Sequence, residues 1–116
     1  MRLTFVELPA FTQVVHAIAD DETLRAWQNE LLRRPDKGDL IPRLHGLRKV
    51  RLQLAGRGRQ GGARVIYLYL PDRAVLILFY LYTKSQSENL SPDQERRLRV
   101  AVDVIKQHYR HENESH

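Results

Sequence analysis

Two stretches near the middle of the chain, Arg64–Leu70 (RVIYLYL) and Ala74–Tyr82 (AVLILFYLY), are apolar at nearly every position and are separated only by Pro71-Asp72-Arg73. Short runs rich in Val, Ile, Leu and aromatics, with no polar alternation, are the pattern of strands central in a sheet and buried on both faces. So short a turn joins neighbouring strands antiparallel, because a parallel return needs a long crossover. Upstream, Arg48–Leu54 alternates instead: Val50, Leu52 and Leu54 share one face, and Lys49, Arg51 and Gln53 the other. That is half-buried alternation. The glycine-rich segment Ala55–Ala63 (AGRGRQGGA) reads as the turn into the next strand, so the three strands form an antiparallel meander.

The flanking segments predict the remaining elements. Arg2–Leu8 (RLTFVEL) reads as a first strand. After Pro9, the residues Phe11, Val14, Val15 and Ile18 fall on one helical stripe. Asp20 and Asp21 supply a break and an N-cap for a second helix with the stripe Leu24, Trp27 and Leu31, which Pro35-Asp36-Lys37-Gly38 stops. Asp39–Gly46 reads as a connecting loop. Ser91-Pro92-Asp93-Gln94 fits a capping box, opening a last helix with the stripe Leu98, Ala101, Val102, Ile105 and Tyr109. The expected architecture is α+β: a small, mainly antiparallel sheet with helices packed on it, in the order strand, two helices, three-strand meander, helix. We read residues 1–110 as one domain and 111–116 as a disordered tail.

Charge is unevenly placed. The chain of 116 residues carries a formal +5. The 32 residues from Leu40 to Pro71 hold no acidic residue and seven basic ones: Arg43, Arg48, Lys49, Arg51, Arg57, Arg59 and Arg64. Six of those seven are arginine, whose planar guanidinium suits bidentate phosphate contacts and base stacking. A polyanion is the partner that charge alone indicates; a solvated basic face with no shared target is the bland alternative. In an antiparallel meander Lys49, Arg51, Arg64 and Lys84 converge at one end of the sheet, with Arg57 and Arg59 on the glycine-rich turn beside them. Cations so placed around one phosphate stabilise a pentacovalent phosphorane, which carries more charge than the ground state.

Other chemistries lack their residues. There is no cysteine, which excludes disulfides, thiol nucleophiles and Cys-ligated metal. His16, His45, His108, His111 and His116 are scattered without carboxylates at ligand spacing, so no metal and no cofactor is expected. No Gly-x-Ser-x-Gly, His-Glu-x-x-His or complete Walker motif occurs, and the glycine-rich segment joins two strands instead of opening a helix. No apolar run reaches the length of a membrane span, so no membrane partner is expected, and the cytoplasm is the default location.

Four fragments in order carry a resemblance: Gly46-Leu47-Arg48-Lys49-Val50-Arg51, Gly58-Arg59-Gln60-Gly61-Gly62-Ala63-Arg64-Val65-Ile66-Tyr67, Tyr82-Thr83-Lys84-Ser85 and Asn89-Leu90-Ser91. Over about Gly46–Val104 the chain resembles the RelE/ParE toxin superfamily, most closely its HigB-like branch of type II toxin–antitoxin systems. The resemblance implies a RelE-like fold and a metal-independent, ribosome-dependent mRNA endonuclease (an mRNA interferase) that cleaves the message in the A site. There the ribose 2′-hydroxyl attacks the adjacent phosphate, leaving a 2′,3′-cyclic phosphate and a 5′-hydroxyl.

By the same resemblance Lys49, Arg51, Arg64 and Lys84 are the catalytic set. Lys49 and Arg51 match the paired basic residues of a strand, divided between the 2′-hydroxyl and the phosphate. Arg64 matches the phosphate-binding arginine, and Lys84 the residue that steadies charge on the leaving oxygen. Arg48, Arg57 and Arg59 are the expected contacts to RNA or ribosome. The family's further arginine and tyrosine have no counterpart, since Ser85 and Leu90/Ser91 fall there. No general acid is thereby identified; Tyr82 or Tyr109 substitutes only if the fold brings one close, and Tyr109 also fits the buried helical stripe. The implied partners are the ribosome with its mRNA and a cognate antitoxin, a helix-turn-helix HigA-like protein. Two other functions stay open: a ParE-like DNA gyrase inhibitor on the same fold, and a basic nucleic-acid-binding module without activity.

Overall fold

The computed structural model describes residues 2–54, 62–83 and 90–114, the last four of these by backbone alone. The described elements are β1 (Thr4–Glu7), α1 (Pro9–Ile18), α2 (Asp21–Arg33), β2 (Asp39–Leu40), β3 (Arg48–Leu52), β4 (Ala63–Leu70), β5 (Val75–Thr83) and α3 (Pro92–Glu114). A 3-10 turn, Pro71–Arg73, links β4 to β5. The strands form one sheet in the order β1-β5-β4-β3-β2, with β1 parallel to β5 and the other pairs antiparallel. No helix of the described residues is long and apolar enough to cross a membrane.

β4 and β5 occupy the middle of the sheet, and their burial on both faces explains their unalternating sequence. On one face Val65, Tyr67, Leu76, Leu78 and Leu81 pack with Phe11 and Val15 of α1 and Leu24, Trp27 and Leu31 of α2. On the other, Ile66, Leu68, Val75, Ile77, Phe79 and Tyr82 meet Leu98, Ala101, Val102, Ile105 and Tyr109 of α3. The expected helical stripes are thus the buried faces. Their starts follow the caps read from sequence. The Asp20 carboxylate accepts the Thr23 backbone N–H at 2.7 Å. Ser91 and Gln94 exchange reciprocal side-chain-to-backbone bonds of 2.9 and 3.1 Å.

Two details depart from the sequence reading. Asp39–Gly46 is not wholly a loop: Asp39 and Leu40 pair with Lys49 and Arg48 as β2, because the outer edge of β3 otherwise has no strand partner. The helix α3 also runs to Glu114, into the stretch 111–116 read from sequence as a disordered tail; residues 115–116 lie outside the described ones.

The junction between α2 and β2 is held by one buried phenol. Tyr67 donates its hydroxyl to the Pro35 carbonyl at 2.7 Å and accepts the Gly38 N–H at 2.9 Å. Gly38 lies so close to that ring that a Cβ there would meet Tyr67 Cε1 at 2.8 Å. Burial raises the Tyr67 hydroxyl above its usual pKa, so it stays protonated and keeps both bonds. Replacing it by Tyr67→Phe leaves a buried N–H and C=O without their partner. A loss of about 1–3 kcal/mol is expected in equilibrium urea unfolding, with an unchanged m-value.

Candidate nucleic-acid interface

Alternation along β3 sends Val50 and Leu52 into the α1/α2 side and leaves Lys49 and Arg51 exposed on the α3 side. Sheet register then sets their neighbours. Arg51 stands opposite Arg64 on β4, and Arg64 stands opposite Tyr82 on β5, which makes one transverse row Arg51–Arg64–Tyr82. Lys49, Ile66 and Tyr80 form the adjacent row on the same face. This corner carries exposed cations because the α3 contacts lie over β4 and β5.

A bulge supplies the aromatic end of both rows. Ile66 pairs with Tyr80 whereas Tyr67 pairs with Leu78, so Phe79 has no register partner. The extra residue reverses the alternation of β5 from that point on. Without it Tyr80 and Tyr82 would face α1 and α2. With it both share the face of Lys49, Arg51 and Arg64, their ring centroids 5.9 Å apart.

The electrostatics of the row are one-sided. Among the described residues no carboxylate pairs with Lys49, Arg51 or Arg64. Burial holds the Tyr82 phenol above its usual pKa against the opposing pull of Arg64, with Tyr80 adding to the rise. Its proton stays on at neutral pH. From the α2 side, the Trp27 indole N–H donates to the Arg51 carbonyl at 3.0 Å, anchoring the strand backbone at the residue whose side chain joins the row.

The sequence-expected residues divide into three groups. Lys49, Arg51 and Arg64 are brought together as described. Arg48 is not with them: it lies opposite Tyr67, on the α1/α2 side, and donates to the carbonyls of Gly38 at 2.7 Å and Asp36 at 3.2 Å. It binds the α2–β2 turn instead of facing the row. Arg57, Arg59 and Lys84 lie outside the described residues. Of the two tyrosines, Tyr82 meets Arg64, whereas Tyr109 packs under α3 near Arg73, whose guanidinium donates to the Tyr109 carbonyl at 2.9 Å. Tyr80 was missed by sequence reasoning, since nothing in AVLILFYLY announces a bulge. Among the described residues no three His, Cys, Asp or Glu groups come together in a way that could hold a metal.

The α+β sheet of this order, with its three helices, has a RelE-like fold. A free-state structure of a doubly substituted E. coli toxin RelE matches with a TM-score of 0.57 at 16% sequence identity, covering 76% of this chain and 90% of that one. At that identity the likeness is one of fold. No protein-family profile matches the sequence.

Like charges directly opposite on neighbouring strands destabilise a sheet by roughly 0.2–1 kcal/mol. Substituting Arg64→Gln is therefore expected to raise stability by that amount in thermal unfolding at low salt. The gain should shrink as added salt screens the pair.

Proposed function

We propose that this chain is the toxin of a type II toxin–antitoxin system, of the HigB-like branch, and that it cleaves translated mRNA in the ribosomal A site. The single observation that carries the reading is the row Arg51–Arg64–Tyr82 with Lys49 beside it: cations with no carboxylate partner among the described residues, set against a protonated phenol on one corner of a RelE fold. The RelE fold supports a toxin, and the row supports phosphate chemistry.

In this reading Arg64, half-buried and held between two strands, binds the scissile phosphate, and Arg51 shares its developing charge. The ribose 2′-oxygen attacks phosphorus, the bond to the 5′-oxygen breaks, and a 2′,3′-cyclic phosphate and a 5′-hydroxyl result. Lys49 stands beside the row and is assigned to the ribose 2′-hydroxyl as the base that takes its proton. Tyr82 holds its proton and gives it to the leaving 5′-oxygen. Lys84 is assigned with the leaving oxygen, and Arg57 and Arg59 with RNA or ribosome, by the sequence resemblance alone. No metal or cofactor takes part in this scheme. The ribosome orients the message, a contribution a small enzyme does not readily supply by itself. The partners are the ribosome with its mRNA and an antitoxin of the helix-turn-helix HigA-like kind, and the site of action is the cytoplasm.

Two experiments test the scheme. Induction of the wild-type chain should arrest growth with new 5′ ends on a translated message in primer extension, and Arg64→Ala should abolish both while ribosome binding persists. Intact message with lost DNA supercoiling would assign the chain to gyrase inhibition; salt-dependent RNA binding without either would leave a non-catalytic module. Tyr82→Phe should lower the single-turnover cleavage rate on programmed ribosomes by about 10²–10⁴-fold, the range for general acid catalysis, with little change in ribosome affinity.

A further inference from the structure

A second cationic site lies at the far end of the same sheet. The 3-10 turn Pro71–Arg73 closes on Ala74 in the left-handed region at φ 52°, which turns Arg73 beneath the C-terminal half of α3. Arg73 donates to the Tyr109 carbonyl at 2.9 Å, and Lys106 donates to the His45 carbonyl at 2.7 Å. With Arg110 they line an open cleft of about 540 Å³ between the turn and the helix.

We propose that this cleft binds the phosphodiester backbone of ribosomal RNA and docks the protein on the ribosome, an inference that rests on the ribosome-dependent reading above. The first support is charge: among the described residues no carboxylate forms an ion pair with Arg73, Lys106 or Arg110. In the N-terminal half of α3, Arg96 and Arg97 pair with Asp93, and Arg99 approaches Glu95 at 4.0 Å. Arg73 and Lys106 are bonded to neutral carbonyls instead, which fix their direction and leave the charge whole. Among the described residues Asp72 is the one carboxylate on the lining, and nearby Asp103 is already engaged by His45 Nδ1 at 2.8 Å.

The second support is preorganisation. Holding a long basic side chain in place costs conformational entropy when a partner must order it, and here the carbonyls have already ordered two. The third is the kind of anion. Guanidinium groups match phosphate in a planar fork, and Tyr109 and Pro71 beside them offer the apolar surface that a ribose or base packs on. An acidic peptide would use the charge but not that surface.

Position separates this site from the first. Arg64 and Leu70 are at opposite ends of β4, and six residues of strand span about 20 Å. That is farther than adjacent phosphates on one message strand, so the two sites engage different stretches of RNA.

The test uses the full chain and vacant 70S ribosomes, which carry no message to cut. Arg110→Glu with Lys106→Gln, leaving Arg73 to hold α3, is expected to weaken ribosome binding at least tenfold near physiological salt. The slope of log affinity against log salt should fall by about two. The single Arg110→Glu, at an exposed position, should show a smaller loss of the same kind with an unchanged melting temperature. Unaltered affinity and slope in both variants would overturn the proposal, as would a loss seen only with polyglutamate. Message cleavage by the wild-type chain is scored separately. If it is absent while the variants still lose ribosome affinity, the nuclease reading falls and the docking site stands.

Discussion

The structure depends on the burial of β4 and β5 on both faces. Two adjacent strands without a polar face cannot leave either side to water, so α1 and α2 cover one and α3 covers the other. One sheet has more area than one helix can cover. The part left open lies toward β3, where the sequence turns from unbroken apolar residues to strict alternation. Exposed cations at Lys49 and Arg51 are the complement of a core concentrated one and two strands away.

Within that corner the bulge at Phe79 is the decisive local event. It spends one residue of β5 without a partner and in return aims Tyr80 and Tyr82 at the cationic face. The resulting row sets two guanidinium-bearing residues opposite each other, an arrangement that a sheet selected for stability alone would avoid. The apolar interior beneath tolerates the cost. Trp27 steadies the same place from the opposite side by holding the backbone of Arg51, so α2 contributes to the site without touching its face.

The molecule treats its basic side chains in two ways. Lys37 pairs with Glu30, and Arg96 and Arg97 share the carboxylate of Asp93, as expected of ordinary surface charge. Arg48, Arg73 and Lys106 bond to carbonyls, and Lys49, Arg51 and Arg64 have no carboxylate partner among the described residues. A carbonyl fixes a cation without cancelling it. Net charge therefore understates the positive field at both ends of the α3 face, the property on which recognition of a polyanion depends.

The sequence by itself determined the class of fold and the identity of the central strands, because an apolar run between turn residues has few other solutions and the caps at Asp20 and Ser91 act locally. It also determined that Lys49 and Arg51 share a face, since the period of a strand is two. Only the tertiary structure decided who stands opposite them. Cross-strand register depends on an unpaired residue at Phe79 that hydrophobicity does not mark, and this alone separates Tyr82 beside Arg64 from Tyr82 facing α2. Tertiary contacts likewise turned Arg48 to the α2–β2 turn and brought Arg73 to α3, because a side chain's use is set by the carbonyls that packing places within its reach.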